Sequence, residues 1–324
     1  MPIILEKDDL FHAPPNDTYT WTETNWFGMM FIPDKKLQFD IYVWFHPNLK
    51  VAYAGMYVMT GVKKDQLAAE YFDFRSWLPM PTGNLDNYAL ENGLSVKILR
   101  PLTTYQIDYV DAARSTELHV VWDAIMPPIP FPMGEHLEQA GRVTGTLKLN
   151  GEVHRVDCIS IRDHSWVHRP ETPKLGRRPI GFAACGFDDG TAFCLTLADS
   201  NYRVDGVANE APPWLTQAAA LEANQIVPFC WVHKDGVSRQ IRAADLRTRR
   251  DAAGWRPVGF ELDFVDDQGV AYAVRGETEN FYPFHWMQNN MITCCLSRFT
   301  CNGKHAWGAF FESMEGDVVH KLLK

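Results

Sequence analysis

Residues 161–169 read I-R-D-H-S-W-V-H-R, the densest concentration of chemistry in a chain of 324 residues. The stretch holds a carboxylate, two imidazoles, a hydroxyl, an indole and two guanidinium groups, close to the middle of the sequence. In a strand of period two, Arg162, His164, Trp166 and His168 share one face, and Asp163, Ser165, Val167 and Arg169 share the other. Asp163 and His164 then serve one site only if the strand ends or bulges here, and bulges do gather near active sites. The plainer alternative is a structural network in which Asp163 pins a strand end through an arginine. His164 and His168 are four apart, as in helical metal sites. No Glu stands between them and spacing supplies no third ligand, so no metal is expected.

Outward from this stretch, short apolar or alternating runs separated by Gly, Pro and Asn dominate both directions. On the N-terminal side the strand candidates are 26–32, 38–46, 50–60, 71–77, 94–99, 104–110, 117–124 and 143–149. On the C-terminal side they are 179–186, 191–199, 226–234, 255–265, 269–279, 291–302 and 304–314. Hairpin turns are read at 188–190, 234–236 and 301–303. Residues 126–133 hold four prolines and cannot form a central strand. The basic cluster 239–250, interrupted by Asp245, reads as a solvated edge or turn. Residues 63–71 offer a short helical alternative, and only 213–224 reads as a real helix, with Pro213 at its start. The pattern predicts an all-β protein of antiparallel barrels or sandwiches with few helices. Length suggests two domains, 1–150 and 151–324, divided at the Asn150–Gly151 turn, with the central motif in the second.

Composition narrows the function classes. Apolar residues make up 46%, enough for large cores, and the net charge of -9 argues against a nucleic-acid partner. Seven cysteines form no C-x-x-C, and Cys294 and Cys295 are adjacent, which favours reduced thiols in a cytoplasm over a disulfide framework. The first residues lack a basic start followed by an apolar core, and no apolar run of membrane-spanning length occurs. A soluble cytoplasmic protein is expected, with a homodimer admitted. The 11 Trp, 11 Tyr and 19 Phe are mostly core by expectation. Residues 281–286, F-Y-P-F-H-W, are the candidate wall of an apolar cavity through Phe281, His285 and Trp286; the competing reading is a core aromatic cluster.

The central motif resembles the D-H-S-W-G-x-R signature of a tandem lipocalin-like group that includes carotenoid hydratase, kievitone hydratase and the AttH-like proteins. Residues 23–27 (E-T-N-W-F) resemble the start of that group's first domain, and 45–49 the Pro-Asn turn after its early strands. Residues 136–145 (H-L-E-Q-A-G-R-V-T-G) are similar to the strand leading to the signature, and 307–312 (W-G-A-F-F-E) to the closing strand. The likeness spans nearly the whole chain. One position departs: the Gly after Trp is Val167 here, and Val excludes backbone angles reserved for glycine. The resemblance implies two lipocalin-like barrels or half-barrels and an apolar substrate, such as a terpenoid, steroid or prenylated aromatic. Hydration, dehydration, isomerisation and cyclisation are the chemistries implied.

Protonating an alkene needs an acid beside apolar walls. Asp163 near Trp166 is the candidate acid, with His164 guiding water or taking its proton. Arg162 and Arg169 would oppose protonation of Asp163 if they face it. Glu312 is a candidate second acid or base, with a structural carboxylate as the alternative. His136 and Glu138 come from the other matched strand. Trp166, His168, Arg169, His136, Phe281, His285, Trp286 and Trp307 are the candidate substrate contacts. No dinucleotide fingerprint and no G-x-S-x-G elbow occur, so no cofactor and no serine nucleophile are expected. Three functions stay open: a hydratase or dehydratase, an isomerase or cyclase using the same acid, and a carrier of apolar molecules.

Overall fold

A computed structural model describes residues 3–131, 134–169, 179–202, 227–287 and 290–323. Chain contacts divide it into two units, one of residues 1–59 and 70–171, the other of 60–69 and 172–324. The first unit contains β1 (Trp21–Ile32), β2 (Leu37–His46), β3 (Val51–Met59), β4 (Tyr71–Pro79), β5 (Asn87–Ala89) and β6 (Leu94–Arg100). It continues with β7 (Thr104–Asp111), β8 (Thr116–Ala124), β9 (Ile129–Pro130), β10 (His136–Leu149) and β11 (Glu152–His168). These form one antiparallel sheet in the order β4-β3-β2-β1-β11-β10-β8-β7-β6-β5, with β9 beside β10. The end strands β4 and β5 do not pair with each other, so the sheet is a curled, open half-barrel.

The second unit contains β12 (Ile180–Gly186), β13 (Ala192–Ala198), β14 (Val227–Lys234), β15 (Val237–Arg250) and β16 (Pro257–Asp266). It ends with β17 (Ala271–Thr278), β18 (Tyr282–Met287), β19 (Asn290–Cys301), β20 (Lys304–Glu315) and the helix α1 (Gly316–Leu322). Pairing of β17 with β19 closes eight of these strands into a barrel and leaves β18 on the flank of β19. Period-two chemistry sets the barrel: along β17, Tyr272 and Val274 are buried while Ala271, Ala273, Arg275 and Glu277 are exposed. The rings of Phe193, Phe260, Phe264, Phe299 and Phe310 fill the interior. Residues 60–69 join this unit through Lys63 N–H to Phe281 O at 2.8 Å and Tyr282 OH to Gln66 O at 2.9 Å.

The domain transition was expected at Asn150–Gly151, with the motif in the second domain. That turn is instead the hairpin between β10 and β11, whose fourteen-pair ladder, together with the β1–β11 pairing, holds the motif strand in the first unit. The basic cluster 239–250 is not a turn but most of β15; Ile241, Leu246 and Thr248 point inward, and Arg247 lies among Asp245, Glu261 and Asp263 on the outer face. The helix expected over 213–224 lies outside the described residues; among those described, the one α-helix is α1. All seven cysteines are free and buried. No described helix is long and apolar enough to cross a membrane.

Candidate functional site

β11 runs as a regular strand through the central motif as far as His168, and Val167 sits in it without a left-handed φ. The absent glycine therefore imposes no strain, and strict alternation holds. The β1 register sets Phe27 opposite Arg162, Asn25 opposite His164 and Glu23 opposite Trp166. On the other face it sets Trp26 opposite Asp163 and Thr24 opposite Ser165, while β10 adds Glu138 opposite Asp163. Asp163 and His164 thus point to opposite faces, which corrects the expectation that His164 is the functional partner of Asp163.

The face with His164 is the packed one. Phe27, Ile41, Val43, Phe45 and Leu137 are all fully buried on it. The segment before β1 closes it. Asp9, in a short 3-10 helix Glu6–Asp9, pairs with the buried Arg162 and accepts hydrogen bonds from Tyr105 OH and Leu102 N–H, each at 2.6 Å. Burial would raise the Asp9 carboxyl, but Arg162 and these donors outweigh it and hold the group below its ordinary value. Glu23 is also fully buried; its Oε1 lies 3.0 Å from His12 Nδ1 and 3.2 Å from His164 Nε2, and its Oε2 accepts His12 N–H at 3.1 Å. Against burial, these imidazoles keep the Glu23 carboxyl below its ordinary value. Trp166 stacks on His12 at 3.8 Å and 6°.

The face with Asp163 is polar and partly open. His136 Nε2 stands 3.4 Å from Asp163 Oδ2 and 3.7 Å from Glu138 Oε1. The side chains of Asp163 and His136 are 19% and 17% exposed, whereas Glu138 beneath them is 1% exposed. Phe131 stacks against His136 at 3.8 Å. Thr24 Oγ1 lies 3.5 Å from Asp163 Oδ1 and 2.6 Å from Ser165 Oγ, and Arg169 donates to Ser165 Oγ at 2.6 Å and Thr22 Oγ1 at 2.7 Å. Arg169 also approaches the Trp44 ring, the first of a series continuing through His46, Tyr53 and the exposed Trp77. His168 is exposed at the strand end beside Trp21. Among the described residues, two groups have ligating atoms close enough to share a metal ion, His12–Glu23–His164 on the packed face and His136–Glu138–Asp163 on the open one.

The remaining candidates lie in the second unit. Glu312 is fully buried and held by both terminal nitrogens of Arg250, at 2.6 and 2.7 Å, and by Thr248 Oγ1 at 3.1 Å. Burial pushes its carboxyl above the ordinary value despite Arg250. A cleft lined by Asp199, Asn201, Tyr202, Thr248 and Arg250 lies beside this pair. Phe281 belongs to the barrel core, edge-on to Trp255 at 5.5 Å. His285 is exposed, with its backbone N–H on Gln66 Oε1. Trp307 is half-buried. The Trp286 side chain lies outside those described. Sequence reasoning missed His12, Glu23, Thr24 and Ser165 as members of these clusters. Alternation along 23–27, laid beside 161–169, was the available signal.

Residues 5–316 match a family model described as "Domain of unknown function (DUF7064)". None of the curated proteins matches the sequence. Among solved structures, the chain is similar to a putative AttH from Nitrosomonas europaea, with 12% identity, a TM-score of 0.57, and 91% of this chain and 92% of that one covered. It is similar to kievitone hydratase from Nectria haematococca, with 10% identity, a TM-score of 0.52 and coverage of 97% and 93%. It is also similar to CghA bound to Sch210972, with 11% identity, a TM-score of 0.56 and coverage of 92% and 89%. The expected resemblance to the tandem lipocalin-like group therefore holds for the fold across the chain.

Proposed function

The chain belongs to the DUF7064 family, and we propose that it is an acid–base enzyme of the hydratase or cyclase type acting on an apolar small molecule. The observation that carries this reading is the Asp163–His136–Glu138 array, open at its edge, on the same sheet face as the Trp44–Tyr53–Trp77 aromatic series. Access decides between the two faces: His164 and Glu23 are sealed, whereas Asp163 and His136 present edges to a ligand. The names of the fold relatives, kievitone hydratase among them, support the same class.

In hydration, protonated Asp163 gives its proton to one alkene carbon and leaves cationic character on the next. Aromatic faces stabilise that charge. Water bonds to the cationic carbon and loses a proton to His136, which returns it to Asp163 across the 3.4 Å gap. The product gains one H and one OH. Dehydration is the reverse. In cyclisation a second double bond attacks the cation and a carbon-bound proton leaves to His136, so the product is an isomer. Arg169, bonded to Ser165 and Thr22, would hold a polar end of the substrate.

The test is turnover of prenylated aromatic and terpenoid alkenes in water enriched in heavy oxygen. A hydratase incorporates one labelled oxygen, and a cyclase returns unlabelled product of unchanged mass. Asp163→Asn is expected to lower turnover by roughly 100- to 10,000-fold while the melting temperature stays near wild type. Tight binding of these compounds without turnover would make the protein a carrier, and a fully active Asp163→Asn would remove Asp163 from the chemistry.

A further inference from the structure

His164 lies on the packed face of the central motif, which the proposed reaction cannot reach, and its surroundings fit a different purpose. It is 0% exposed; Nδ1 has no hydrogen-bond partner, and Nε2, 3.2 Å from Glu23 Oε1, lies off the line that a ring N–H bond requires. A buried imidazole with neither nitrogen properly satisfied is costly. The geometry points to a divalent transition-metal site formed by His12, Glu23 and His164, independent of the Asp163 array on the opposite face.

Three features support this. Ligand atoms each about 2.0–2.2 Å from one ion, at tetrahedral or right angles, stand about 3.0–3.5 Å apart. The observed separations from Glu23 Oε1 are 3.0 and 3.2 Å, and all three ligand atoms lie within 4.8 Å of one another. An off-line approach of carboxylate to imidazole is what two ligands aimed at a common ion produce, rather than at each other. The groups that orient ligands are also present: the Asp8 carboxylate stands 3.7 Å from the other nitrogen of His12, and Trp166 stacks on the His12 ring. Two imidazoles and one carboxylate favour zinc, iron or cobalt over calcium or magnesium. Without metal, the His12–Glu23 hydrogen bond keeps two ligands in place. With metal, the residues before β1 would be tied to β1 and β11.

The experiment uses the full chain, stripped by a chelator and titrated with cobalt and then with zinc. One equivalent of cobalt should bind with the visible absorption bands of a nitrogen- and oxygen-ligated ion, and zinc should displace it and raise the melting temperature by several degrees. His12→Ala, on the partly exposed segment before β1, should weaken binding at least 100-fold. His164→Ala should do the same and, if it does not fold, His12→Ala still decides. His136→Ala should bind as wild type does. No cobalt spectrum and no thermal shift would overturn the site and leave the cluster a hydrogen-bonded one. Binding that survives His12→Ala but fails in His136→Ala would move the metal to the other face. Neither result depends on turnover, so this site and the proposed activity fail separately.

Discussion

At the scale of single residues, the molecule holds its titratable groups in distinct states by burial and neighbours. His46 is the clearest case. It is 7% exposed, packs against Trp44 and Tyr53, and neither ring nitrogen has a hydrogen-bond partner. Burial, then the nearby Arg169 charge, lowers its pKa from 6.5 to about 4. A depressed histidine favours the folded state in its neutral form. Between pH 6.5 and 4 the unfolded chain therefore binds a proton that the folded chain does not, and stability falls as pH falls through that window. With solvent screening, about 2 kcal/mol should be lost. Denaturant midpoints measured at pH 7 and pH 4.5 on wild type and His46→Phe check this: the variant should lose less, and equal losses would mean that His46 titrates normally. Asp9 and Arg162 follow the opposite logic. Each alone would be a buried charge without compensation, and only the pair, with Tyr105 and Leu102, is tolerable. Nothing near residue 162 in the sequence announces Asp9, since 153 positions separate them.

At the scale of elements, legibility followed alternation. The strand runs around 38–46, 104–110 and 304–314 were readable because apolar residues recur every second position or fill both faces. β15 was not, because its outward row is charged and its neighbours on β16 and β17, which supply Glu261, Asp263 and Arg275, are distant in sequence. The site was half legible. Period two correctly divided Asp163 from His164, but the partner strands β1 and β10, which bring Glu23, Thr24, His136 and Glu138, were known only as separate runs. Close packing between such strands depends on small residues at set points. Gly141 on β10 is one: a Cβ there would fall 2.3 Å from the ring of the fully buried Trp122 on β8. Its φ is ordinary, so the constraint is space. Gly141→Ala should therefore cost about 1–3 kcal/mol by overpacking and change the near-ultraviolet dichroism of the displaced indole. A variant with wild-type melting and an unchanged spectrum would indicate that the sheet opens there at little cost.

At the scale of the whole molecule, the two units solve the same edge problem differently, and this should govern where the chain opens. The second unit closes eight strands through β17 and β19, so its ring has no free edge. The first unit ends at β4 and β5, which pair on one side only among the described residues. β5 is three residues long, and β4 breaks register against β3 between Ala52 and Ala54 and carries the exposed Arg75 and Trp77. Short, twisted and charged edges of this kind discourage pairing with other chains. They also lack the buried contacts that slow local opening. By contrast, β11 pairs with β10 over 152–165 and with β1 over 161–168, so its motif segment is covered on both sides where it contributes to both candidate clusters. Amide hydrogen exchange by mass spectrometry at neutral pH should thus grade the first unit outward: slowest in β11 and the adjoining half of β10, faster in β6, and fastest in β5 and the free side of β4. The ring strands β16 and β20 should exchange as slowly as β11. Protection of β5 equal to that of β16 would mean that its outer edge is covered in solution, and would make that edge the place to look for a second chain.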